Sequence, residues 1–418
     1  MMAALVAPIL APVVLALAWY RWGRRPSLIR VLWLLQLLVA IAALSLAWRA
    51  TPLTLALGTT HWGHPAHLVL SPTAGVLVAA IHLAMVIVFA APTWRPNADG
   101  PPTPATSLTF ILIGAASAAL LVDDLLLRTI VLDIASLSVG LILLAQSPAP
   151  TPLGSVWPYL LLHIGDIAFL LLALWLDFTT GTWSISQAFA GAIGLSAGPR
   201  ALAIAAALLA AGCKLGLPPF DGWLRRASTL STPYCIMVLC AGPPLLGAYL
   251  LYRLQDLLVG DPVSRATLLA IVLLCVAYGV WRALRNGSLG VSEGLILHSA
   301  LAFGAPLIGW QRVYLLSFLP VRLAICWLIP QLAGGAVEVK PAARADLPAV
   351  LQALAGIAAH VDAALSRLAN GLGTLSRRLG AAMQRVHSGK IRRNLLIALL
   401  ALPAILLAML ANLWTGTP

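Results

Sequence analysis

Apolar stretches of about 20 residues, the length that crosses a bilayer, recur along most of this chain, and they leave few folds open. Of its 418 residues, 61% are hydrophobic and only 9% charged. Inside a hydrocarbon layer every backbone polar group must be paired internally, so repeated runs of this kind must become helices packed on helices. The expected class is an all-α polytopic membrane protein with about 11 to 12 transmembrane helices. A soluble fold is excluded. One stretch interrupts the pattern: Lys214 sits in an apolar helix that runs into Gly216, Pro218 and Pro219. Paired prolines remove two backbone donors and clash with the preceding turn, so a broken helix is expected near Lys214. Irregular backbone at membrane depth is tolerated only against protein or a wet cavity, and an ammonium beside it points to an ion or proton path. The competing reading is a lysine that snorkels to the interface from a helix end.

The formal charge of +13 is concentrated in loops and in the Arg-rich C-terminal quarter. That fits positive cytoplasmic loops better than nucleic-acid binding, so the expected surroundings are membrane lipid and not nucleic acid. Arg21, Arg24, Arg25 and Arg30 separate the first two expected spans, 2–19 and 31–48, and put their loop in the cytoplasm and the N-terminus outside. The five cysteines lie in apolar segments with no CxxC pair and read as small core residues. His61, His64 and His67 have a spacing that gathers imidazoles on one helical face. They lack a fourth ligand and a nearby carboxylate, so a solvated loop, and no metal, is expected. No cofactor is expected either. There is no glycine-rich phosphate loop, no Ser-His-Asp order and no Cys/His cluster for haem or iron–sulfur, so no catalytic centre of the chain's own is visible.

Several residues in the interrupted stretch carry a family resemblance. Lys214, Pro218-Pro219-Phe220, Trp223-Leu224, Ser231-Thr232-Pro233 and the run 248–254 resemble the signature of the proton-conducting antiporter-like membrane subunits. That superfamily holds the L-type subunit of NADH-quinone oxidoreductase, the Mrp cation/proton antiporter subunits and the DabB subunits of inorganic carbon accumulation complexes. The wording of 220–224, with glycine before tryptophan, is nearest to DabB. Leu70-Ser71-Pro72 with His82 is similar to the family's third conserved helix. Asp123-Asp124 opens a leucine run ending in Asp133, where the family places the glutamate that pairs with its lysine. His163-Ile164-Gly165-Asp166 resembles an Arg-Ile-Gly-Asp helix with histidine for arginine, and 288–298 resembles a Ser-x-x-Ser-Gln-x-Gly helix with Glu293 for glutamine.

The resemblance implies a proton path through Lys214, Asp133, Glu293, His298, His163, Asp166 and Asp124. In it Asp133 would face Lys214 one methylene short of a glutamate, and His163 would bond Asp166 three residues along the same helix. Glu293 and His298, five apart, point to diverging faces, and Glu293 reads equally as a late station or as a boundary glutamate facing water. Leu239-Cys240 stands where the family carries a relay histidine, and the second lysine is missing, with Arg282 and Arg285 nearby. After 313–329 no second inverted repeat is expected, so the chain reads as shortened.

The expected organisation is N-terminal spans and an outer loop over 1–65, and an antiporter-like core over 66–330. A linker and amphipathic lateral helix follow over 331–390, the helix itself at 348–387, then a C-terminal span over 391–418. The implied role is a proton-path subunit of an energy-coupling complex in a bacterial cell inner membrane, nearest to DabB. It would drive inorganic carbon uptake by a soluble or peripheral partner, a DabA-like zinc protein. The alternatives are a respiratory L-type or Mrp-type subunit, or a non-conducting scaffold for a catalytic partner.

Overall fold

The computed structural model describes residues 2–22, 26–48, 51–59, 65–90, 104–146, 152–286 and 290–334. The chain opens with α1 (Met2–Trp22) and α2 (Pro26–Ala47), followed by a hairpin of β1 (Leu53–Thr59) and β2 (Pro65–Leu70). The bundle continues with α3 (Pro72–Ala90), α4 (Pro104–Leu121), α5 (Leu125–Ala145), α6 (Pro152–Thr180), the short α7 (Ile185–Ile193) and α8 (Ala197–Leu215). Next come α9 (Gly222–Ala227), α10 (Thr232–Ile236), a π-helical turn over Met237–Ala241, α11 (Pro243–Arg253) and α12 (Gln255–Val259). It closes with α13 (Pro262–Asn286), α14 (Val291–Gly304) and α15 (Gln311–Gly334).

Nine helices among the described residues are long and apolar enough to cross a bilayer, and two shorter apolar helices cover Leu5–Arg21 and Trp33–Ala47. The chain is thus an all-α polytopic membrane protein. The spans Pro104–Leu121 and Thr232–Arg253 are almost wholly buried, whereas Pro262–Asn286 is mostly exposed. Leu269, Leu273 and Val280 on that outer span face outward, as a lipid-facing surface requires. His82 on α3 ties three helices together, bonding Gln36 of α2 through Nδ1 and Ser117 of α4 through Nε2 at 3.2 Å.

The solvated loop expected at 49–66 is instead largely a hairpin, with Leu53 paired to Leu70 and a bulge between Ala56 and Gly58. Leu53, Leu55 and Leu57 alternate with smaller residues at period two, which is a strand pattern. The third span consequently starts at Pro72, not at 69, and His67 lies on β2, where helical spacing does not apply. His61, His64, the lateral helix at 348–387 and the last span lie outside the described residues. Leu68 bridges Val122 and Asp124 bridges Ser184, so the hairpin, the α4–α5 turn and the start of α7 share one membrane face. On the orientation expected from the arginines between the first two helices, that face is the external one.

The helix break at α8 has a clear local cause. Gly216 is left-handed (φ 68°, ψ 40°), Leu217 N bonds Gly212 O at 3.0 Å, and Pro218-Pro219, joined by a cis bond, cannot donate to the carbonyls of Lys214 and Leu215. Ser299 Oγ of α14 takes up Leu215 O at 2.9 Å, and Trp223 Nε1 takes up Cys213 O at 2.9 Å. A second break follows in the next span. Gly242-Pro243-Pro244 withholds two donors in the same way, the turn before it widens to π, and Arg322 Nη1 of α15 caps Leu239 O at 2.6 Å. Gly216→Ala should therefore destabilise the protein by about 1–2 kcal/mol, because an L-residue is strained there. Its Cβ would also meet Leu224 Cδ1 at 2.7 Å. Thermal unfolding in detergent checks this, and an unchanged midpoint would contradict it.

Candidate functional site

The centre of the bundle is an ion pair that α5, α6 and α8 converge upon. Lys214, at the end of α8, is 2% exposed and its Nζ bonds Asp166 Oδ1 of α6, which is equally buried. The same ammonium donates to Ser136 Oγ at 2.5 Å and to Leu132 O at 3.5 Å, both on α5. Three acceptors around an ammonium complete its donor set, so the charge is held by direct bonds. Asp166 Oδ2 is buried with no hydrogen-bond partner among the described residues. That leaves one open acceptor position on the carboxylate. The snorkelling alternative does not hold, since the amine points into protein.

The pairing differs from the sequence expectation in two linked ways. Asp133 does not meet Lys214; its Oδ1 bonds His163 Nδ1 at 2.7 Å. His163 accordingly does not bond Asp166 within α6 but reaches across to α5. Asp133 faces His163, and Ser136, one turn further along α5, is the α5 side chain that faces α8 and meets the ammonium. Asp166, freed from His163, supplies the counter-charge. His163 also stacks on Tyr159, with centroids 5.2 Å apart. Asp133 and His163 are about two-fifths and one-third exposed, whereas Asp166 is shut in, so the three form a series from the outer face of α5 and α6 to the core. Their donor atoms all lie within 4.8 Å of one another, a spacing a divalent ion could bridge. Here the Lys214 ammonium holds Asp166 Oδ1 and His163 Nδ1 holds Asp133 Oδ1, while Asp166 Oδ2 stays open.

The remaining expected stations lie elsewhere. Asp124 caps α5, accepting from Leu127 N at 2.8 Å. Glu293 is buried and bonds Arg282 Nε at 3.1 Å, Asn286 Nδ2 at 3.3 Å and Ser292 Oγ at 2.8 Å, so the water-facing alternative is overturned. Arg282 also stands 4.0 Å from Asp221, which is ion-paired with Arg225, Nε at 3.0 Å, and accepts a hydrogen bond from Tyr278 OH at 3.2 Å. In the link between spans, burial pushes the Asp221 carboxyl above the usual range while Arg225 and Arg282 pull it down. This network latches the link after the first break to α13 and α14. His298 and Glu293 share no hydrogen bond or ion pair among the described residues. His298 accepts from Arg322 Nε at 3.4 Å and stacks on Tyr314 at 5.1 Å.

Sequence reasoning missed Ser136, Ser299 and above all Arg322. This arginine is fully buried and bonds Ser299 Oγ, Leu295 O at 3.4 Å and Leu239 O. Through Ser299 it reaches Leu215 O, so one guanidinium joins both broken helices. A lone arginine in the apolar run 313–329 was the available signal.

Fold and site together define an integral membrane bundle built around a buried lysine–aspartate pair at an interrupted helix. No family model matches the chain, and no curated protein matches it. Among solved structures, a chain in the structure of the Mrp complex from Dietzia sp. DQ12-45-1b is similar with a TM-score of 0.66 at 18% identity, covering 78% of this chain and 36% of that one. A chain of respiratory complex I from Thermus thermophilus with bound NADH gives 0.64 at 16% identity, covering 79% of this chain and 71% of that one. A chain of the membrane-bound sulfane sulfur reductase, an archaeal respiratory membrane complex, gives 0.58 at 14% identity, covering 88% and 96%. This chain therefore spans little more than a third of the Mrp chain, and it shares the fold of membrane chains from all three complexes.

Proposed function

We propose that this chain is a proton-path subunit of a multi-subunit membrane complex. The observation that carries the reading is the Lys214–Asp166 pair, buried at a helix break and continued by His163 and Asp133 toward the outer face of α5 and α6. An ammonium beside a carboxylate is stable with the proton on nitrogen. Separation of the two, or arrival of a further charge, would shift that balance and let a proton pass to the open Asp166 oxygen or along His163. The fold is shared with chains of the Mrp complex and of respiratory complex I, which supports a place beside partner subunits.

The finer assignment is a DabB-like subunit whose proton flow drives inorganic carbon uptake by a DabA-like zinc protein, in a bacterial cell inner membrane. It rests on the wording of 220–224. A respiratory L-type or Mrp-type subunit is the alternative within the same class. A scaffold that conducts nothing is favoured by one observation: at the position of the family's relay histidine, Leu239 offers only a carbonyl, and Arg322 occupies it.

The test is proton uptake into vesicles holding the purified protein and whatever co-purifies with it, followed with a pH-sensitive dye under an imposed gradient. Uptake above that of empty vesicles is expected. Its absence in an assembled, correctly folded preparation would leave the scaffold. Zinc in the co-purified partner supports the carbon-uptake assignment, and quinone-linked hydrophilic subunits support the respiratory one.

A further inference from the structure

The outer arm of the central site carries a second chemistry. One donor atom each from Asp133 of α5 and from His163 and Asp166 of α6 lies within 4.8 Å of the other two. Ligands around a four-coordinate zinc ion stand about 3.3–3.5 Å apart, so shifts of about 1 Å close the set. Two of the three side chains have room to make them, since Asp133 and His163 are about two-fifths and one-third exposed. The third supplies what a cluster of exposed acids lacks. Asp166 is 2% exposed, and its Oδ2 has no hydrogen-bond partner among the described residues. A buried acceptor left open requires an explanation, and a bound ion is one.

The donor set selects the ion. One imidazole nitrogen and two carboxylate oxygens, with no sulfur, suit zinc and its divalent neighbours. Copper(I) seeks thiolates, and magnesium and calcium seek oxygen alone. The two carboxylates offset both charges of such an ion. Lys214 already donates to Asp166 Oδ1, which leaves Oδ2 for the metal and makes the ammonium the outer hydrogen bond that orients a ligating carboxylate. Ammonium and ion then stand on opposite oxygens, with the negative charge between them. The hydrogen between His163 Nδ1 and Asp133 Oδ1, 2.7 Å apart, gives way to the ion, and a water completes four ligands. We propose that Asp133, His163 and Asp166 bind a divalent transition-metal ion, zinc being the type, and that the bound ion closes the proton path by holding all three groups between Lys214 and the outer face. The closure, though not the binding, rests on the proton-path reading. An exposed carboxylate at this depth stands against water or protein and not hydrocarbon, and the water that brings protons to Asp133 brings the dissolved ion too.

The binding arm of the experiment adds cobalt(II), whose visible absorption reports four-coordinate geometry, to the full chain purified with its partners. Wild type is expected to bind it and to release it to zinc, and His163→Ala and Asp133→Asn should each weaken binding by about 100-fold. A cobalt spectrum absent from wild type, or unchanged in His163→Ala, would overturn the site. So would a sulfur-to-cobalt charge-transfer band, which assigns the ion to cysteines. If neither variant assembles, X-ray absorption at the cobalt edge of wild type decides: an imidazole with carboxylate oxygens supports the site, and sulfur or water alone overturns it. The closure arm records proton uptake by wild type in vesicles as zinc is raised. Flux should fall by about tenfold or more over the range in which zinc displaces cobalt, and full flux at saturating zinc overturns closure. Should wild type pass no protons without zinc, that failure belongs to the conduction reading; closure falls with it, and the cobalt arm judges the site.

Discussion

Arginine in place of Lys214 is expected to preserve the folded protein while lowering proton flux by about 100-fold or more, the range set by loss of a proton-transferring group. Lysine can give up its proton when its surroundings change; arginine cannot. The guanidinium would keep the charge opposite Asp166 and the bonds to Ser136 and Leu132, so a pair that merely locked α6 to α8 would tolerate the change. Lys214→Ala should lose flux as well, and in addition leave Asp166 buried and alone. Breaking such a pair costs about 3–5 kcal/mol, less here to the extent that Asp166 takes up a proton. The comparison of the two variants, by flux in vesicles and by thermal unfolding, separates transfer from locking. Normal flux in Lys214→Arg would leave only the lock.

The second large effect is expected at Arg322. Replacing it with methionine removes the cap on Leu239 O, the bond to Leu295 O and the bond to Ser299 Oγ, which itself still donates to Leu215 O. Each buried acceptor left without a donor costs about 1–3 kcal/mol. Removing a buried cation that no carboxylate pairs with among the described residues gives part of that back. The acceptors win, because proline has removed the backbone donors that could replace the guanidinium, and a net loss of about 2–4 kcal/mol follows. Arg322→Lys restores the charge but not the fork, and should recover less than half of the stability. Thermal unfolding in detergent reads both variants. A methionine variant as stable as wild type would show that the two breaks are held by something else.

Much of the architecture was legible because bilayer length and proline chemistry act locally. The apolar runs gave the spans, and Pro218-Pro219 marked the break. The hairpin stands where a solvated loop was expected although Leu53-Thr54-Leu55-Ala56-Leu57 alternates, because an alternation of five residues between Pro52 and Gly58 is a weak local signal until a second strand pairs with it. The partner of Lys214 was not legible. Asp133 and Asp166 are both acids in apolar runs, and the choice between them depends on which face each of α5, α6 and α8 turns to the others, which spacing along one helix does not encode. Ser136, Ser299 and Arg322 illustrate the same limit. Each is a single polar residue whose meaning comes from carbonyls that prolines free on other helices. Glu293 shows the reverse case. Its neighbours Arg282, Asn286 and Ser292 are close in sequence, so its burial in a local network could have been anticipated from the spacing.

The direct test of the central claim is difference infrared spectroscopy of the wild-type protein while a proton gradient is applied and released, with Asp166→Asn as the assignment control. If a proton moves through the Lys214–Asp166 pair, a protonated-carboxyl band must come and go with the gradient and vanish in the asparagine variant. A carboxylate at Asp166 that stays ionised while protons cross the vesicle membrane would contradict the account.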